Sequence, residues 1–118
     1  MSADQAPADG RWARRFLNAA VTGDSGAART VVVEAVRAEL GLARVYQDIF
    51  TPALEWVGRL WAAGRLTAAH EHLATQITLD QMARVRQQVR PAGRLGLLAV
   101  VSTVEGEQHW VGARMVAD

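Results

Sequence analysis

The densest group of residues able to bind or move a proton is His70, Glu71 and His72, in the run WAAGRLTAAHEHLAT. A carboxylate between two imidazoles offers hydrogen-bond acceptors, donors and metal ligands in consecutive positions. Neighbouring residues on a helix diverge by about 100°. His70 and His72 therefore point apart and chelate poorly from one helix. The zinc-protease spacing, two histidines four apart around a glutamate, is absent. Two readings of the cluster are open: a surface histidine followed by two residues that cap a loop, or one wall of a ligand pocket. Trp61 lies one loop away. If the segments flanking that loop are antiparallel helices, Trp61 and Glu71 border one pocket at the end of a bundle. An aromatic slab beside a carboxylate suits a large, flat, partly polar ligand. The competing reading of Trp61 is a core residue, and Trp56 reads as core or interface.

His109 is a different case. It follows the apolar run LGLLAVV, Leu95 to Val101, whose lack of alternation reads as a strand buried on both faces. Open α/β proteins bind ligands just beyond such strands. Glu105 or Glu107 can accept from His109 Nδ1 and leave Nε2 for a metal. The alternative is a lone histidine with no ligand. No serine elbow, phosphate-binding glycine loop or paired-carboxylate site is present, and Gly106 and Gly112 do not match a dinucleotide fingerprint.

The elements that must position these residues follow from periodicity and punctuation. The chain has 118 residues, enough for one packed core, with half of them apolar and 21% charged, a globular composition. All 13 basic residues are arginines, offset by 12 acidic ones to a net charge of +1. That balance argues against direct nucleic-acid binding. The absence of cysteine excludes disulfides and thiolate sites. No apolar run is long enough to span a membrane, Met1 to Gly10 has no signal-peptide pattern, and the cytoplasm is the default location.

Residues 1–9 read as a flexible leader. Trp12, Phe16, Leu17 and Ala20 predict a helix over about 11–22, ended by Gly23. Asp24 is placed to cap a second helix, with Ala28, Val31, Val32, Ala35, Val36 and Leu40 on one inward face and Gly41 as its C′ residue. A third helical region covers about 42–63, with a kink or restart at Pro52, and Gly64 closes it. Thr67 is placed to cap a fourth helix over about 68–89, with Leu73, Ile77, Val85 and Val89 buried. The short connections predict an antiparallel four-helix bundle over 10–90. Residues 91–118 then read as a strand, a loop and the start of a helix over His109 to Ala117, the opening of an α/β unit. The expected fold is thus mainly α, with one β-strand.

With these residues in hand, the chain resembles cobalamin (B12)-binding modules. The stretches AAVTGDSGAAR and VYQDIFTPALEWVGRLWAAGRLTAAHEHLAT resemble the family's helical-bundle cap. VEGEQHWVGARMVAD resembles the start of its Rossmann-like corrinoid domain. There the usual pattern is Asp-x-His-x-x-Gly, whose histidine reaches the cobalt from the lower face. Glu107, His109 and Gly112 occupy those positions, with glutamate in place of aspartate. The Trp-x9-Glu-His pattern of Trp61, Glu71 and His72 is closest to the B12-dependent photoreceptor type of transcription regulator. In that subgroup the tryptophan covers the upper, adenosyl side of the cofactor and the glutamate helps to enclose it. By the same resemblance His72 and Ala68 belong to the upper wall. Two departures stand out: Ala62 occupies a position where some light sensors carry a histidine, and no winged-helix domain precedes the bundle.

The resemblance implies a regulatory module, not an enzyme, that binds adenosylcobalamin and senses light or cofactor state. Methylcobalamin or another cobalamin is the alternative ligand. His109 would be the lower metal ligand, and Trp61, Ala68, Glu71, His72, Glu107 and Gly112 would contact the cofactor. Two other readings are a corrinoid carrier of a methyltransferase system and a cofactor-free helical dimerisation domain. Self-association or a regulatory protein partner is expected. The corrinoid domain reads as incomplete at residue 118. Apolar burial is worth about 25 cal/mol per Å², so weak cofactor binding is expected unless a partner or second copy completes the site.

Overall fold

The structure is a computed structural model, which describes residues 10–88, 93, 95–103 and 111–118. Helix α1 (Arg11–Val21) is followed by α2 (Ser25–Arg37) and by a continuous helical stretch made of α3 (Leu42–Val45), a π-helical turn (Tyr46–Phe50) and α4 (Thr51–Ala62). Helices α5 (Ala68–Gln88) and α6 (Val111–Ala117) complete the order. Helix α1 packs against α2, α4, α5 and the π-helical turn, and α5 packs against α2 and α4. The result is a bundle around one apolar core. Among the described residues no helix is long and apolar enough to cross a membrane.

The helix ends obey local chemistry. Asp24 Oδ1 accepts from the Ala27 N–H at 2.9 Å, satisfying one of the orphan donors of α2. After α1 and α4 the chain turns through Gly23 and Gly64, both with φ near +75° (75° and 73°), a region in which a side chain is strained. Arg65 N–H reaches back to Leu60 O and Gly64 N–H to Trp61 O, the paired bonds of a Schellman turn. Thr67 begins α5 in a variant of the capping box. Its hydroxyl accepts from the His70 N–H at 3.3 Å, and its own N–H donates to His70 Nδ1 at 3.2 Å. An imidazole thus does the work usually done by glutamate or glutamine.

Two expectations about these helices need correction. The left-handed residue that ends α2 is Glu39 (φ 63°), not Gly41. Glu39 N–H bonds Val36 O and Leu40 N–H bonds Ala35 O, so the turn closes two residues early and gains Leu40 as an apolar contact to the core. Gly41 is instead the extended residue before α3. On α5, Ile77 and Val85 are buried but Leu73 is 42% exposed. It lies over the Gly23 turn, where a Cβ would come within 2.9 Å of it. Val89 lies outside the described residues.

The strand expected over Leu95 to Val101 is absent. The described residues contain no strand, and the fold is all-helical. Leu98 is 91% exposed, and Leu95, Leu97 and Val100 are nearly as open. A strand needs a neighbour to pair its N–H and C=O groups, and the described chain offers this segment none. Gly96, at φ 74°, also breaks its extension. The apolar run therefore carried composition without a partner.

The break anticipated at Pro52 takes the form of the π-helical turn that immediately precedes Thr51 and Pro52. Proline lacks an N–H, and its ring collides with the carbonyl four residues earlier. A wider turn relieves both problems without ending the helix. Tyr46, Ile49 and Phe50 from this turn are buried, with Phe50 5.0 Å from Phe16 and 5.7 Å from Tyr46, ring centre to ring centre.

The same turn anchors α6. Tyr46 Oη donates to Asp118 Oδ2 at 2.5 Å. Asp118 Oδ1 accepts from Arg114 Nε at 3.2 Å and lies 3.6 Å from Arg86 Nη1. The Asp118 side chain is only 3% exposed. Val111 and Met115 pack on the core beside this polar cluster. Burial, then the bond to Asp118 and its charge, hold the Tyr46 phenol well above its ordinary range. The folded chain therefore keeps this proton more tightly than the unfolded chain. The stability it contributes is complete below about pH 10 and falls as pH rises beyond it. Tyr46→Phe should cost about 1.5–3 kcal/mol, the scale of a hydrogen bond to a charged group. It should also flatten the alkaline fall and speed amide exchange in α6 ahead of the other helices. Urea unfolding between pH 7 and 11, with exchange mass spectrometry, measures all three.

Candidate functional site

The side of the bundle away from α2 carries a groove of about 620 Å³ between α4, α5 and the first residues of α6. Helical spacing builds its walls. Leu54, Val57, Gly58, Trp61 and Ala62 come from α4, at steps of three and four residues. Glu71, His72, Thr75, Gln76 and Leu79 come from α5 with the same steps. Residues so spaced stack on one helix face. Val111 and Gly112 close the third side, held there by the Tyr46–Asp118 anchor.

Trp61 is 50% exposed, so it is a groove wall and not a core residue. Among the described residues, the tryptophan in the core is Trp12. Glu71 is mostly buried, with its side chain 22% exposed. Oε1 accepts from Thr75 Oγ1 at 3.3 Å, and Oε2 lies 3.3 Å from His72 Nδ1. A carboxylate oriented by the Thr75 hydroxyl still presents lone pairs to a ligand. His72 itself is open to solvent. The polar edge of the groove is therefore Glu71, His72, Thr75 and Gln76, and its apolar floor is Leu54, Val57, Leu79 and Val111.

The sequence-predicted residues divide clearly. Trp61, Glu71, His72 and Gly112 meet at this groove. His70 does not. It turns back to Thr67, with Nδ1 2.8 Å from the threonine hydroxyl. Ala68, the first residue of α5, is exposed and is not part of the groove lining. Glu107 and the metal-ligand candidate His109, with Glu105, lie outside the described residues. Among the residues that are described, no three His, Cys, Asp or Glu side chains gather closely enough to hold a metal ion. Trp56 lies elsewhere, half exposed in a smaller groove between α4 and α1, with the Arg59 guanidinium 5.2 Å from its ring centre.

Thr75, Gln76, Leu79 and Gly58 were not singled out from sequence, and Val57 was read only as part of an apolar helix face. The signal for them was present: Thr75 and Gln76 follow Glu71 and His72 by four, and Val57 precedes Trp61 by four. Extending each candidate along its helix row would have found them. The groove fits a large ligand with a flat face and a polar rim. It has an aromatic slab, a hydrogen-bonded carboxylate and, at Gly58, a bare stretch of helix where no described atom beyond its chain neighbours and its own helix backbone lies within 4 Å of a Cβ position.

Comparison with known proteins supplies the class of ligand. The sequence model of the family described as B12 binding domain matches residues 12–86, from the first turn of α1 to the last turn of α5 and well over half of the chain. None of the curated proteins compared with it matches.

Because Trp61 lines a groove while Phe50 is wholly buried, the two should respond differently to truncation. Trp61→Ala should change unfolding stability by no more than about 1 kcal/mol, and Phe50→Ala should cost about 3–5 kcal/mol. Parallel urea titrations followed by circular dichroism make the comparison.

Proposed function

Since the chain belongs to the B12 binding domain family, we propose that its α4–α5–α6 groove faces the upper side of a bound cobalamin and that the preferred cofactor is adenosylcobalamin. The observation that carries this reading is the meeting of half-exposed Trp61 with Glu71 and His72 in one groove. Trp61 offers a flat face on which a purine can stack. Glu71 Oε1 and Oε2 are acceptors for ribose hydroxyls or an exocyclic amine. His72 and Gln76 add donors at the open rim. The floor of Leu54, Val57 and Leu79 excludes water from the region beside the ring.

Bound adenosylcobalamin supplies a light-labile cobalt–carbon bond. The residues of this chain position and shield the group above it. Glu107 and His109 are proposed, by resemblance alone, to serve the lower face. Loss of the upper group would empty the space between Trp61 and Glu71 and change the packing of α4 on α5. In this reading that change is relayed to a second copy of the chain or to a regulatory partner.

Reconstitution in the dark tests the proposal. The chain is incubated with adenosylcobalamin, methylcobalamin or hydroxocobalamin. Retained absorbance and size-exclusion mass are then read before and after illumination. Adenosylcobalamin should be retained best, and light should change both spectrum and mass. Stacking one base on an aromatic ring is worth about 1–3 kcal/mol, roughly 5- to 150-fold in affinity. Trp61→Ala should weaken adenosylcobalamin by that factor and hydroxocobalamin much less. Preferential retention of methylcobalamin, with no response to light, would favour a methyl carrier. Failure to retain any cobalamin at any protein concentration would sink the reading.

A further inference from the structure

Gly58 lies in the interior of α4, where glycine lowers a helix's folding equilibrium roughly fivefold relative to alanine. Two structural reasons commonly justify that cost, and neither applies. The first is a left-handed backbone, as at Gly23 and Gly64; Gly58 is helical and is not among the glycines with positive φ. The second is close packing, as at Gly23, where a Cβ would meet Leu73 at 2.9 Å. At Gly58, apart from its chain neighbours and the backbone of its own helix, no described atom lies within 4 Å of the Cβ position. The residue is exposed and lines the groove one turn before Trp61.

We propose that Gly58 is a specificity-determining residue. Its bare backbone admits the large upper group of a cobalamin against α4 beside Trp61, and any side chain there narrows the groove against that group. The inference rests on the proposed reading of the groove as the upper face of the site. It goes further in naming the position that sets how large an upper group fits. Trp61 forms the slab, Glu71 gives the polar edge, and the missing side chain at Gly58 leaves room on α4 one turn from the slab. Space at this position is useful only to something that is not part of the described protein, and an adenosyl group needs far more of it than a hydroxyl or methyl group.

Gly58→Ala and Gly58→Leu chains test this with two independent readouts. In urea unfolding without ligand, Gly58→Ala should raise the folding equilibrium roughly fivefold. In dark absorbance titrations, Gly58→Leu should weaken adenosylcobalamin by at least roughly tenfold, the scale on which a pocket discriminates added methylenes. Gly58→Ala should fall between Gly58→Leu and the parent chain. Hydroxocobalamin should bind all three chains within about twofold, well inside the same scale. Unchanged adenosylcobalamin affinity in Gly58→Leu overturns the assignment, as does an equal loss for both cobalamins. A Gly58→Ala chain less stable than the parent also overturns it, because protein would then be packing against that site. If the parent chain takes up no cobalamin, the reading of the groove fails and the assignment falls with it. If the parent binds and the Leu variant binds equally, only the assignment falls.

Discussion

Phe50 stands where α1, the π-helical turn and α4 converge, fully buried and in ring contact with both Phe16 and Tyr46. The groove depends on that contact. A continuous α-helix from Leu42 to Ala62 would need Pro52 to accommodate the carbonyl of Asp48, four residues before it. The π-helical turn resolves the clash, and the buried row runs on through it at three- and four-residue steps. Tyr46, Ile49 and Phe50 then face the core before the break, and Ala53 and Val57 face it after. With those positions inward, the next row of α4, Leu54, Gly58 and Trp61, turns toward α5 and forms a wall. Close packing behind the wall holds Trp61 half exposed without letting it collapse into the core.

The polar cluster at the other end of the same turn extends this logic to α6. Tyr46 contributes its ring to the core and its hydroxyl to Asp118. One side chain therefore joins the bundle's interior to the short helix that closes the groove. Arg86 from α5 and Arg114 from α6 share the same carboxylate. Breaking one partner of a buried charge is costly because the others are left imperfectly paired. The position of Val111 and Gly112 is thus set by residues far from the ligand-facing surface.

Much of the bundle was legible in the sequence because its helices follow the 3.6-residue period and end on residues with specific backbone chemistry. Asp24, Gly64 and Thr67 mark boundaries through bonds that the structure contains. Glu39 was not legible, because a left-handed glutamate has no local signal, although the inward place of Leu40 beside it was. The run Leu95 to Val101 failed for a different reason. Apolar composition is shared by strands, buried helices and exposed segments, and only a neighbour decides among them. At the groove, Trp61, Glu71 and His72 could be anticipated because positions on either side of a short loop face each other. His70 belongs to the cap instead, since the third residue of a helix points back at its first hydroxyl. Gly58 was hidden because a glycine inside a helix looks like a defect until the space beside it is seen. Stability given up at such a position is a common signature of a site kept open for a ligand.

In the proposed site the face bearing Trp61, and not the face bearing Trp56, receives the corrinoid. The indole N–H groups of Trp12, Trp56, Trp61 and Trp110 give separate signals in a nitrogen-15 correlation spectrum, assignable by single replacement with phenylalanine. Titration with adenosylcobalamin in the dark should shift the Trp61 signal to saturation while Trp12 and Trp56 stay in place. Saturable movement of Trp56 with Trp61 unmoved would contradict the account.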